Sequence, residues 1–137
     1  MKKTIFVSFM LSVLLLTGCA SQPADTMEEI LTETSYEYPA EWPENRFTDC
    51  IPQPDSYTVE SVRDFSAAGR YELSLSGIDR AAAHTYIRKL EQAGYSNLGG
   101  DENEHSGGVM MQRGQVVLSV SYAGENLGML ITLLDEM

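Results

Sequence analysis

The chain has 137 residues, 9 Lys and Arg against 20 Asp and Glu, and a formal net charge of −11. That length carries one domain, and a composition of 43% hydrophobic and 9% aromatic residues supplies one small core, which excludes a wholly disordered chain. The acidic balance excludes a nucleic-acid partner, since phosphate contacts need Lys and Arg, and two cysteines with two histidines leave little for a disulfide framework or a metal centre.

The first residues read as a targeting signal. Lys2 and Lys3 precede an apolar run, Ile5 to Leu16, interrupted only by Ser8 and Ser12. A membrane-spanning helix needs about 20 apolar residues, so this run is too short for one. It ends in Leu16-Thr17-Gly18-Cys19, which resembles the bacterial lipobox. That resemblance implies a signal peptide over 1–18, a diacylglyceryl group on the Cys19 thiol, and cleavage that leaves Cys19 first. Buried lipid contributes about 0.8 kcal/mol per CH₂, so two or three acyl chains hold the chain to a bilayer. Removing Lys2 and Lys3 leaves 7 basic and 20 acidic side chains, a net charge of −13. Lipid, not headgroup electrostatics, then makes the attachment. The expected address is the extracytoplasmic face of the cell membrane, or the outer membrane in a Gram-negative host.

Residues 19–44 read as the lipidated cysteine followed by a disordered acidic tether. Asp25 to Glu44 holds seven acidic residues and no basic one, and self-repulsion keeps such a stretch extended. A single domain is expected over 45–137. Ile51-Pro52-Gln53-Pro54-Asp55 leads into it in extended conformation.

Tyr57 to Phe65 reads as a strand, Ala67-Ala68-Gly69 as a turn, and Arg70 to Ser76 as a cleanly alternating strand with Tyr71, Leu73 and Leu75 on one face. Asp79 is placed as the N-cap of a helix running to about Ala93. Ala83, Ile87 and Leu90, flanked by Tyr86, form its apolar stripe, and Gly94 ends it. Tyr95 to Leu98 is a short extended piece leading into a polar loop, Gly99 to Gly107. Gly108–Gln112 and Gln115–Tyr122 flank an Arg113-Gly114 hairpin turn. Ala123 to Gly128 turns again, and Met129 to Leu134 closes the sheet. The expected fold is α+β: an antiparallel sheet of about five strands with one helix packed on one face, in the order β-β-α-β-β-β.

Trp42-Pro43-Glu44-Asn45, Ile51-Pro52-Gln53-Pro54, the Asp79 helix with Tyr86, and Gly94-Tyr95 resemble a family of small secreted or lipid-anchored bacterial proteins. They are of Firmicutes type and carry a domain of unknown function. The resemblance spans about Glu41 to Leu134. Cys50 departs from the pattern, in which an aliphatic residue stands beside the Pro-x-Pro. The resemblance implies a lipoprotein of this α+β type and brings no activity with it.

Few residues suggest chemistry. His84 lies on the helix with Arg80 and Arg88 four residues to either side, a basic stripe that a shared anion would recruit. The loop residues Asp101, Glu102, Glu104 and His105 are the weak candidate for a cation, having hard oxygen ligands without EF-hand spacing. Cys50 is expected as a partly buried small hydrophobe. Met110, Met111, Met129 and Met137 are expected in the core rather than as soft-metal ligands, on the alternation of strands. Nucleophile–base constellations and phosphate-binding glycine loops are both lacking, so no enzyme and no cofactor is expected. The expectation is a non-enzymatic, lipid-anchored envelope module that binds a protein, peptide or wall polymer through an exposed sheet face or edge. Trp42, Tyr57, Arg80, His84 and Arg88 are its candidate contacts. The alternatives are a small-ligand or cation-binding lipoprotein using the acidic loop and, behind it, an envelope hydrolase.

Overall fold

Alternating apolar and polar residues from Thr58 onward build one antiparallel sheet, seen in a computed structural model that describes residues 35–136. The signal segment, Cys19, the tether as far as residue 34 and Met137 lie outside the described residues. The strands are β1 (Tyr36–Glu37), β2 (Thr58–Phe65), β3 (Arg70–Ser76), β4 (Ser96–Glu102), β5 (Ser106–Arg113), β6 (Val116–Ala123) and β7 (Asn126–Leu133), with helix α1 (Arg80–Gln92) between β3 and β4. Their order across the sheet is β1-β2-β3-β7-β6-β5-β4, each neighbour antiparallel. The last strand therefore lies in the middle, between the β2–β3 hairpin and the β4–β5–β6 meander.

Register aligns the core. Val62, Leu73, Met129, Val120 and Val109 stand side by side across five strands, and all are buried. The adjacent row on the same face runs Val59, Leu75, Leu127, Tyr122, Gly107 and ends at Glu102 on β4. Ala83, Tyr86 and Leu90 of α1 join these strand residues in one buried cluster, so the helix lies on this face. The Asp79 carboxylate caps it, accepting from the Ala82 N–H at 2.8 Å. At its other end Gly94 takes φ +100°, while its N–H and that of Tyr95 donate to Glu91 and Leu90. That is the paired bond pattern that closes a helix on a glycine.

The proline-rich lead completes the roof beside α1. Phe47 is buried and stacks on Tyr71 at 5.6 Å. Four side chains tie the lead's carbonyls down: Tyr86 donates to Pro52, Lys89 to Gln53, and Tyr95 and Arg113 both to Cys50, at 2.7–2.9 Å. Backbone carbonyls of a segment outside helix and sheet need such partners once water is excluded.

The α+β class with a helix on an antiparallel sheet is present, but among the described residues seven strands replace about five, and four rather than three follow the helix. The polar loop expected over 99–107 is mostly strand. Gly and acidic residues are poor strand formers, yet backbone pairing with β5 extends β4 as far as Glu102. Asn126–Gly128, read as turn, begins β7. The expectation of a disordered tether through residue 44 fails over its last part. Tyr36 and Glu37 pair with Arg63 and Val62, and Trp42 packs on the core edge, so residues 36–44 belong to the folded part. Alternation sorts the methionines, with Met111 and Met129 buried and Met110, one residue out of phase, 43% exposed on the opposite face. Cys50 is partly buried and unpaired, its thiol donating to the Arg46 carbonyl at 3.2 Å.

Candidate functional site

Three elements converge at the end of the row that finishes on Glu102. Tyr122 points to the core face of β6, and its cross-strand neighbour on β5 is Gly107, which is in turn opposite Glu102 on β4. Two strand spacings are about 10 Å, and a phenol bridges that gap only where nothing stands between. Gly107 supplies the space. The Tyr122 hydroxyl lies over it and donates to Glu102 Oε2.

The helix adds the other two partners. His84 Nε2 lies 2.7 Å from Glu102 Oε2 and 3.2 Å from the Tyr122 hydroxyl, with the two rings edge-on at 5.5 Å. One turn earlier, Arg80 Nη1 donates to Glu102 Oε1 at 2.5 Å and Nη2 to the Asn103 carbonyl at 2.7 Å. The spacing of Arg80 and His84 puts both on the helix face above β4. Hydrogen bonds from Tyr122 and His84, ahead of the charges of His84 and Arg80, lower the Glu102 carboxyl to about 2. Burial, then the Glu102 charge, raises the Tyr122 hydroxyl above its ordinary value. Tyr122 therefore stays a donor and Glu102 an acceptor at neutral pH. His84 Nε2 faces the same carboxylate and hydrogen-bonds with it.

Beside this cluster an open cleft of about 340 Å³ runs between α1 and the β4–β5 edge. His84 and Ile87 form its helical wall, Asn97, Gly100 and Asp101 its strand wall, and Val109 and Tyr122 line its inner end. Ile87, of the expected apolar stripe, packs against the core and, partly buried, also forms part of this wall.

The cluster joins residues from two separate expectations. Arg80 and His84 come from the basic stripe and Glu102 from the acidic loop. The anion that the stripe recruits is thus the chain's own carboxylate, and the stripe is not free for an external anion as expected. Arg88 stays apart, its guanidinium bonded to Thr85 Oγ1 at 3.1 Å. Asp101 lines the cleft, whereas Glu104 and His105 sit exposed in the β4–β5 turn. That turn is organised by Asn103, whose side-chain oxygen accepts from the N–H groups of His105 and Ser106 at 2.8 and 2.9 Å. Among the described residues no three His, Cys, Asp or Glu side chains gather as a metal site would need. Trp42 and Tyr57 meet each other elsewhere, edge-on at 5.3 Å. The residue missed from sequence is Tyr122. Its place at the end of an apolar alternation read as core, and only the glycine opposite it hinted that the ring had room to reach across.

A carboxyl that titrates lower folded than unfolded stabilises the fold above its unfolded value and loses that contribution as pH falls to the folded value. For Glu102 the window runs from about pH 4.5 down to about 2. Glu102→Gln should accordingly flatten the acid limb of the stability profile in that window, read as urea midpoints at several pH values. A variant whose midpoint falls as steeply with acid as the parent's would show that the carboxylate is not held in this way.

Compared with models of known protein families, with curated proteins and with solved structures, the chain matches none.

Proposed function

We propose that this protein is a non-enzymatic binding module, held by lipid at Cys19 on the outer side of a bacterial cell membrane, with the α1–β4 cleft as its ligand-contacting surface. The observation that carries this reading is the pre-formed polar cluster at the side of the cleft. Arg80, His84, Tyr122 and Glu102 are bonded to one another before any ligand arrives, so little ordering remains when one binds. The lining holds no Ser, Thr, Cys or Lys nucleophile, and His84, Glu102 and Tyr122 are engaged with one another. A cation-binding role fits less well, because both Glu102 oxygens already accept from Arg80, His84 and Tyr122. The ligand class is an envelope protein, peptide or wall polymer. The anchor rests on the charged start, the apolar run and Leu16-Thr17-Gly18-Cys19.

Two measurements test the two halves. Cys19→Ser should move the protein from the membrane to the soluble fraction and abolish labelling by a radioactive fatty acid. Persistent membrane attachment of that variant would overturn the lipid anchor. For the cleft, a photoreactive residue at Asn97, on its wall, should capture one envelope component in living cells. The same group at Ser119, on the opposite face of the sheet, should not. Identical capture from both positions, or none from position 97, would remove the cleft as the binding surface.

A further inference from the structure

A second surface lies on the β2 side of the sheet, remote from β4 and from the cleft above. Trp42 and Tyr57 form two walls of a corner, ring centroids 5.3 Å apart and planes inclined at 67°. An open recess of about 460 Å³ there is also lined by Glu41, Glu44 and Gln53. Both aromatic rings are only partly buried, and both glutamates are exposed. No side chain among the described residues forms an ion pair with either glutamate. Lys89, the ammonium that reaches this lead segment, is committed to Asp55 and to the Gln53 carbonyl at 3.0 and 2.7 Å. Burial, then the negative field of Glu41, raises the Tyr57 hydroxyl above its ordinary value, in keeping with the Glu41 carboxylate lining the same recess.

Aromatic faces attract a cation through their quadrupole, most strongly on tryptophan, and two nearby carboxylates add to that attraction. An anion is repelled by the same arrangement, and a neutral apolar group gains nothing from the carboxylates. The kind of cation follows from hydrogen bonding. Glu41 and Glu44 are acceptors, so a primary ammonium or a guanidinium can donate to them while its alkyl stem lies along the rings, whereas a quaternary ammonium has no N–H to give. The Gln53 side-chain oxygen is already occupied by the Tyr57 hydroxyl at 2.7 Å, which leaves the glutamates as the acceptors on offer.

We propose that the Trp42–Tyr57 corner, with Glu41 and Glu44, is a binding site for a basic side chain, lysine or arginine, presented by a partner polypeptide.

Trp42 is the chain's single tryptophan, so its fluorescence reports on this corner alone. The purified full chain in detergent micelles is titrated with a blocked Gly-Lys-Gly peptide, with the same peptide acetylated on the lysine nitrogen, and with choline. The lysine peptide should give a saturable change in Trp42 emission. The acetylated peptide, which keeps the stem and loses the charge, should bind at least tenfold more weakly, and choline should be weaker than the lysine peptide. The double substitution Glu41→Gln and Glu44→Gln should weaken the lysine response at least tenfold. Both positions are exposed, and an unchanged thermal unfolding curve verifies that the fold is retained. An equal response to lysine and acetyl-lysine peptides, no saturable response to either, or an undiminished response in the double variant would each overturn the proposal. Choline binding as tightly as the lysine peptide would overturn it in favour of a quaternary ammonium ligand.

Discussion

Leu73→Ala should destabilise the fold by about 3 kcal/mol, within the range for truncating a fully buried leucine. Leu73 is 0% exposed. It stands between Val62 and Met129 in the central buried row, with β2 on one side and β7 on the other. Those neighbours are fixed by backbone ladders and cannot close over the gap, so most of the cavity persists. For a domain of this size the loss corresponds to a fall in melting temperature of roughly 12–20 °C. Urea unfolding should show a lower midpoint with an unchanged slope. Ser119→Ala, on the opposite face of the same sheet, is the comparison and should shift stability by no more than about 0.5 kcal/mol. Equal effects from the two substitutions would mean that the buried face has been misassigned.

The second large effect is expected at Gly107. A Cβ built there would lie 2.8 Å from Tyr122 Cε2 and closer still to Cζ and the hydroxyl. The ring is rigid and its base is packed in the core, Tyr122 being 7% exposed, so it cannot yield by bending its tip. Gly107→Ala should therefore expel the phenol from its place over β5, at a cost of about 1–3 kcal/mol for overpacking. The bond from Tyr122 to Glu102 is lost with it. The variant should resemble Glu102→Gln in showing a flatter stability profile below about pH 4.5. A Gly107→Ala protein as stable as the parent, with its acid limb intact, would show that Tyr122 does not depend on that gap. Tyr122→Phe separates the two effects, since it keeps the packing and removes only the hydroxyl.

How far the molecule was legible in its sequence differs from element to element. The helix was readable because its signals are local: Asp79 caps it, Gly94 ends it, and Ala83, Tyr86 and Leu90 repeat at helical spacing. β3 and β6 were readable for the same reason, since one buried face imposes strict alternation. β4 was not. All seven of its residues are exposed, so no burial pattern marks it, and its Gly-Gly-Asp-Glu composition argues for a loop. It is a strand because β5 offers an edge whose backbone groups need partners. Tyr36–Glu37 was hidden in an acidic run in the same way and pairs with β2 only because the folded domain brings that edge within reach.

The candidate site shows the same division. Residue types and local spacing alone marked Arg80 and His84 as one stripe, Glu102 as part of an acidic loop, and Trp42 and Tyr57 as aromatic contacts. Composition determined that this is one acidic domain with a single core, and local periodicity determined its helix and its strongly alternating strands. Only the tertiary structure decided that Glu102 meets Arg80, His84 and Tyr122, that β7 occupies the middle of the sheet, and that the proline-rich lead roofs the core beside α1. These depend on strand order and on a register in which Tyr122, Gly107 and Glu102 share one row. Strand pairing joins residues far apart in the chain through backbone bonds that are the same for every side chain, so sequence pattern alone leaves it undetermined.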